Sequence, residues 1–340
     1  MTGNILIPHE KMESVFLSIL NKHDFSGERA GTCARIFTQN SLDGVYTHGV
    51  NRFPRFIRYI KEGYVLPDNK PETVNSSGAV EQWDGRLGPG TNNALDATRR
   101  SMELARAHGI GCVGMANTNH WMRGGYYGRE AAGSGYIFIG WTNTIANMPA
   151  WGAGNSKLGN NPLVLAVPFL PEPVVLDMAI SQYSYGTMEA YRMGGQKLPY
   201  AGGFDRQGNL TDDPGTVLQT ELAAPIGYWK GAGLSLLLDI LAAVISGGDA
   251  TFRITGRGDE YGVSQVFISI DPSRFASGSN VETIVKEVID DYHKSVPSRE
   301  KDKILHPGER VLMRRKENLE KGIPVENQVW EEILSLAGSA

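Results

Sequence analysis

The chain has 340 residues, 41% hydrophobic and 21% charged, and its 33 basic and 37 acidic residues leave a formal net charge of −4. These figures exclude a disordered or fibrous chain and give no electrostatic ground for binding nucleic acid or an anionic membrane. Glycine, at 41 residues against the ~7% typical of globular chains, has no three-residue period; collagen is excluded, and turns that bring backbone close to a ligand are implied. Cys33 and Cys112 make no disulfide framework. The opening MTGNILIPHEKMESVF has no basic segment followed by a long apolar one, so the expectation is a soluble, cytoplasmic protein.

In chain order, apolar spacing predicts a helix over 8–22, a second after an N-cap at Ser26 running to about Leu42, and a third over 53–62, interrupted early by Pro54. A helix over 93–107 ends at Gly109, and 110–115 reads as a strand. Residues 126–132 read as a short helix, then 136–142, 163–167 and 174–179 as strands. The stretch 195–228, rich in Gly, Pro, Asp and Asn, reads as a long ordered loop. A buried helix is expected over 231–246; its most apolar run, 234–245, is too short to span a bilayer and contains Asp239. A strand over 263–270 and a charged helical tail from 281, broken near His306-Pro307-Gly308, complete an α/β or α+β pattern.

Three segments carry candidate chemistry. Gly109-Ile110-Gly111-Cys112-Val113-Gly114 matches G-x-G-x-x-G, but the dinucleotide motif needs a strand before the glycines and a helix after them. Here a helix precedes and a strand runs through, so the match is rejected. In Tyr46-Thr47-His48-Gly49-Val50-Asn51-Arg52-Phe53-Pro54-Arg55, a histidine lies close to Arg52, Arg55 and Arg58. Reduction of a 2-keto acid needs a proton donor that titrates near neutrality and a cation for the carboxylate, and this segment offers both. The alternative is a turn-capping histidine beside a solvated arginine face. Asn117-Thr118-Asn119-His120-Trp121-Met122-Arg123-Gly124-Gly125 follows a strand and enters a helix, a place where sites form. The alternative there is a loop histidine satisfied by backbone. No H-E-x-x-H, H-x-H, C-x-x-C or G-x-S-x-G occurs, so neither metal catalysis nor a serine nucleophile is expected. Cys33, on an amphipathic helix, and Cys112, in a strand, read as core.

The segment Thr47-His48-Gly49-Val50-Asn51-Arg52-Phe53-Pro54-Arg55-Phe56 resembles the signature of the malate/L-lactate dehydrogenase family that lacks a Rossmann fold. Asn119-His120-Trp121-Met122-Arg123-Gly124-Gly125, Met148-Pro149-Ala150-Trp151-Gly152, Gly227-Tyr228-Trp229-Lys230-Gly231 and Asp259-Glu260-Tyr261-Gly262 agree, and the resemblance covers nearly the whole chain. It implies an α/β fold with a non-Rossmann NAD-binding domain built on a mixed or antiparallel sheet, and a helical domain made from both chain ends. The expected division is 1–75 joined by 285–340, and 76–284. It implies a homodimeric NAD(P)-dependent 2-keto acid reductase, for which NAD(H) is expected ahead of NADP(H) though spacing alone does not discriminate them. His48 would be the acid/base, oriented by Asp177, with Arg52, His120 and Thr47 on the substrate. Cofactor contacts would come from Pro173-Val174-Val175-Leu176-Asp177-Met178-Ala179, Trp229-Lys230 and Gly308-Glu309-Arg310. One departure is Asn160, where the family usually has Thr.

The aromatic blocks around Trp121 and Trp151 favour a sugar-derived substrate, since aromatic faces pack on sugar carbons. Malate, lactate, ureidoglycolate, a cyclic imino acid, and a non-catalytic ligand-binding protein stay open as alternatives.

Overall fold

The computed structural model describes residues 3–275, 280–299 and 303–338. The chain opens with β1 (Asn4–Ile7), α1 (His9–Asn21), α2 (Gly27–Leu42), two 3-10 turns (Tyr46–His48 and Val50–Arg52) and α3 (Phe53–Lys61). There follow β2 (Glu72–Ser77), β3 (Val80–Asp84), α4 (Gly90–His108), β4 (Ile110–Thr118), α5 (Gly124–Gly133) and β5 (Ile137–Thr142). Next come β6 (Ala146–Pro149), β7 (Ser156–Gly159), β8 (Leu163–Val167), β9 (Val174–Met178), α6 (Tyr185–Met193), β10 (Gly203–Phe204), β11 (Leu210–Thr211) and α7 (Pro214–Thr220). The last elements are α8 (Trp229–Ser246), α9 (Thr251–Thr255), β12 (Val263–Ile270), α10 (Val281–His293), α11 (Glu309–Lys321), β13 (Ile323–Glu326) and α12 (Asn327–Gly338).

The apolar stripe of α1, Met12, Phe16, Ile19 and Leu20, is buried against α2 and α3, with Phe16 stacked on Phe53 and edge-on to Phe37. Pro54 does not interrupt α3; it sits in the first turn, where its missing N–H has no helical acceptor to lose. Ser26 is the N-cap of α2 by backbone, but its hydroxyl makes no capping bond. The far end of the chain completes this core. β13 pairs antiparallel with β1, and Trp330 and Ile333 of α12 join the same apolar cluster.

A seven-stranded mixed sheet runs β2-β3-β4-β12-β5-β8-β9. Every neighbouring pair is antiparallel except β3 with β4. This is an α/β fold, and its sheet is not the doubly wound parallel sheet of dinucleotide-binding folds. Alternation along the central strands feeds two cores. Val113 and Phe267 enter one, and their chain neighbours Cys112 and Val266 enter the other. Gly111 and Gly114 fall on opposite faces of β4. A Cβ at Gly111 would lie 2.2 Å from the Ser101 carbonyl oxygen of α4, and one at Gly114 2.6 Å from that of Ile245 in α8. The rejected glycine fingerprint is thus two close helix-to-sheet approaches. Cys33 and Cys112 are free and buried, and burial pushes their thiols up to about 12 and about 11.

Two further expectations are corrected. The stretch 195–228 contains β10, β11 and α7, with polar side chains forming caps and turns: Asp213 caps α7 through the Thr216 N–H, and Asp205 closes its turn on the N–H groups of Gln207 and Asn209. The helix expected to be buried over 231–246 forms as α8 but is not buried all round. α8 is the one helix among the described residues long and apolar enough to cross a membrane by length and composition. Its small inner residues Gly231, Ala232, Ser235, Ala242 and Ser246 are buried, and Asp239 accepts bonds from Asn143 and the Thr251 N–H. Leu237 and Val244 on the other face are 57% and 69% exposed.

Candidate active site

His48 ends the first 3-10 turn after α2, and that turn is clamped to α2. Asn40 donates to the His48 carbonyl at 3.0 Å, and Ser41 Oγ accepts from the Val50 N–H at 2.8 Å. A Cβ on Gly49 would fall 2.2 Å from Ser41 Oγ, so only glycine allows this approach. Thr47 Oγ1 lies 3.1 Å from His48 Nδ1. Arg52 follows in the second turn.

The opposing wall is the loop after β4. The Asn119 side-chain amide donates to the carbonyls of Tyr64, Leu87 and Gly88, and the Asn119 backbone carbonyl accepts from the Gln265 side chain. The next residue, His120, is thereby fixed in place. Met122 adopts φ of 67° and donates its N–H to His120 Nδ1 at 2.9 Å. In the neutral ring this puts the proton on Nε2, which faces Glu260 Oε1 at 3.9 Å. The His48 and His120 rings stack with centroids 5.5 Å apart. Arg52 stands 3.7 Å from the same Glu260 oxygen, whose partner oxygen accepts from the Ile145 N–H.

The structure therefore brings Thr47, His48, Arg52 and His120 together, and adds Glu260. The block around Glu260 shows its resemblance in sequence, but nothing in its spacing ties this acid to His48. Burial, then Arg52 and Arg123, lower the His48 pKa to about 4. Burial, then Arg52 and His48, hold His120 well below its usual value. Two stacked imidazoles beside guanidinium groups resist charging.

Asp177 lies elsewhere than a direct histidine partner would. Its Oδ2 accepts the Gly125 N–H at 2.8 Å, at the start of α5, and sits 3.7 Å from Arg123 Nε. Among the described residues no hydrogen bond or ion pair joins it to His48, whose Nδ1 is taken by Thr47. Arg123 acts on both groups: it counters the rise that burial imposes on Asp177 and depresses His48. Arg123 is itself paired with the buried Asp43, which also takes Arg315. A lone arginine in a loop carries no signal of such a linking role, so sequence reasoning missed it.

Pro173 to Ala179 form β9 and its flanks, the outer edge of the large sheet. Gly308 runs beside that edge, where a Cβ would make only ordinary contact with Val175, and its φ of 102° is what favours glycine there; it leads directly into Glu309 and Arg310 of α11. At the other end, the Ile226 N–H donates to the Ile180 carbonyl and Gln182 to that of Ala224. That segment runs on to Trp229 and Lys230 through Tyr228, a residue with φ of 61° and ψ of −117°. The Lys230 ammonium lies 6.0 Å from the centroid of the exposed Trp229 ring. Edge-strand backbone and an exposed Trp–Lys pair suit an elongated anion with planar rings. These residues fit a nicotinamide dinucleotide.

Trp121 is corrected as a sugar-stacking residue. It is 1% exposed and packs edge-on to Phe267 in the core. Trp151 is exposed and packs near Tyr228, 5.3 Å between centroids. Asn160, the departure from the family pattern, accepts bonds from Thr144 and Asn147 and so ties down the start of β6.

The malate/L-lactate dehydrogenase family description matches residues 7–334. The chain is 42% identical to the 2,3-diketo-L-gulonate reductase of Klebsiella pneumoniae (strain 342) over 97% of this chain and 99% of that one. It is 41% identical, with the same coverage, to the 2,3-diketo-L-gulonate reductase of Escherichia coli O6:K15:H31 (strain 536 / UPEC). Among solved structures, malate dehydrogenase from Pyrococcus horikoshii OT3 superposes with a TM-score of 0.90 at 28% identity, covering 98% of this chain and 95% of that one. The chain is thus an oxidoreductase with a nicotinamide cofactor, a member of the malate/L-lactate dehydrogenase family.

Proposed function

We propose that this enzyme reduces 2,3-diketo-L-gulonate, a sugar-derived 2-keto acid, with NADH as donor and His48 as general acid. The observation that carries the chemistry is the His48–His120 stack with Arg52 beside it. The relatives named above support the choice of substrate.

The bound nicotinamide supplies a hydride to the substrate carbonyl carbon. Arg52 holds the substrate carboxylate, for which its planar fork is suited; its pairing with Glu260, at 3.7 Å, is loose enough to be exchanged. A carboxylate on Arg52 offsets part of the positive field that depresses His48, so His48 gains proton affinity as substrate binds. In the protonated ring Nδ1–H donates to Thr47 Oγ1, leaving Nε2–H to protonate the carbonyl oxygen. His48 finishes neutral, the form its surroundings favour. His120 offers its Nε2–H to a second substrate oxygen. Asp177 orients this machinery through Gly125 and Arg123.

Pro173 to Ala179, Trp229-Lys230 and Gly308-Glu309-Arg310 would hold the cofactor, with Lys230 and Arg310 near its phosphates. The chain works as a cytoplasmic homodimer in which the apolar outer face of α8 meets a second copy. The exposure of Leu237 and Val244 supports the dimer, and the two free cysteines a reducing compartment. Residues 1–75 with 285–340 form one domain and 76–284 the other, a division supported by the apolar cluster in which Ile7 and Phe53 join Ile323 and Trp330.

The test is a panel of 2,3-diketo-L-gulonate, oxaloacetate, pyruvate and neutral ketones, each with NADH and with NADPH, followed by loss of reduced-cofactor absorbance. The expected result is fastest turnover of the diketo acid with NADH. His48→Ala should abolish turnover while NADH still binds. Arg52→Ala should raise KM for keto acids by about 10–100-fold, the worth of a charge-assisted pair, and leave neutral ketones nearly unchanged. Wild-type rates in His48→Ala, or equal effects of Arg52→Ala on acids and ketones, would overturn the assignment.

A further inference from the structure

Where α10 ends and α11 begins, three ligand-type side chains meet away from His48. His293 Nε2 lies 3.1 Å from Glu309 Oε2, and His306 Nε2 lies 3.7 Å from Glu309 Oε1. The candidate donor atoms of all three fall within 4.8 Å of one another. We propose that His293, His306 and Glu309 form a binding site for a divalent transition metal of the zinc class, which clips the end of α10 to the start of α11.

The geometry is close to what such an ion needs. Bonds of about 2.0–2.1 Å in a tetrahedral shell hold donor atoms ~3.3 Å apart, so small side-chain rotations close the set. The outer contacts are those that support metal ligands. His306 is 8% exposed, and its Nδ1 lies 2.9 Å from the Pro307 carbonyl oxygen. A carbonyl only accepts, so Nδ1 carries the proton and the Nε2 lone pair is left toward Glu309. The Glu309 carboxylate accepts the His306 backbone N–H at 2.7 Å, which fixes its orientation. Two imidazoles and one carboxylate suit zinc, cobalt, nickel or copper rather than calcium or magnesium, which prefer all-oxygen shells. Three protein ligands leave a position for water. Glu309 also belongs to the segment assigned above to the cofactor, but its side chain is taken up by the two histidines. The metal site does not depend on the hydride-transfer proposal.

No short-range metal pattern announces this site, because His293 and His306 are well separated in the sequence. The test uses the full chain stripped with a chelator and titrated with Co2+ alone. The expected result is saturable binding of one equivalent, with the visible absorption of low-coordinate cobalt, displaced by Zn2+. Zn2+ should also raise the melting temperature, since an ion that binds only the folded chain stabilises it by mass action. His293→Ala, at an exposed position that folding tolerates, and His306→Gln should each weaken binding by about 10-fold or more. His108→Ala, an exposed histidine elsewhere, should leave it unchanged. No saturable signal, equal affinity in His293→Ala and wild type, or an equal loss in His108→Ala would overturn the proposal.

Discussion

A general acid must hold a proton when the carbonyl needs it, yet the surroundings of His48 work against that charge. Its pKa falls from 6.5 to about 4, first through burial and then through Arg52 and Arg123. The unfolded chain therefore binds more protons between these values than the folded one. The stability tied to this group is complete above about pH 6.5 and is lost as pH falls toward 4. Urea midpoints measured across that window should fall more steeply for the wild type than for His48→Gln; parallel slopes would show that His48 is not held neutral. At this scale much of the site is legible, since His48, Thr47 and Arg52 are near neighbours in one segment. Glu260 and Arg123 are not, because their meaning lies in distances across loops distant in sequence.

Elements form from local periodicity, and their outlines are readable where that periodicity is long. α1, α4 and β12 stand close to where apolar spacing puts them, and Gly109 ends α4 in the left-handed conformation expected of a terminal glycine. Short strands such as β6, β7 and β10 escape notice, because a few residues carry too little alternation to show. α8 displays the other limit: a run apolar on every side reads as buried throughout. Packing decides otherwise, because the small residues that let α8 approach the sheet occupy only one face. If the opposite face meets a second copy, Leu237→Glu should convert a dimer to a monomer in sedimentation equilibrium with little change in helix content. A wild-type monomer, or a variant that stays dimeric, would remove that interface.

Across the whole molecule, the two chain ends share one core. Ile7, Phe16 and Phe53 pack in the same cluster as Ile323 and Trp330, and Val50 of that cluster lies between His48 and Arg52. Trp330→Ala should cost about 3–5 kcal/mol, as for other large aromatic truncations, read as a lower urea midpoint. It should also speed hydrogen exchange at residues 46–53; a loss below about 1 kcal/mol would show that α12 is peripheral. By itself the sequence determined the composition class, the longer helices and strands, the unsuitability of the glycine fingerprint and the histidine–arginine segment, because each depends on neighbours along the chain. Only the tertiary structure decided the strand order, the pairing of β1 with β13, the stack of His48 on His120, the partners of Asp177 and the meeting of His293 with Glu309. Those depend on long-range packing, where the energy of closing the chain on itself selects contacts that local spacing does not encode.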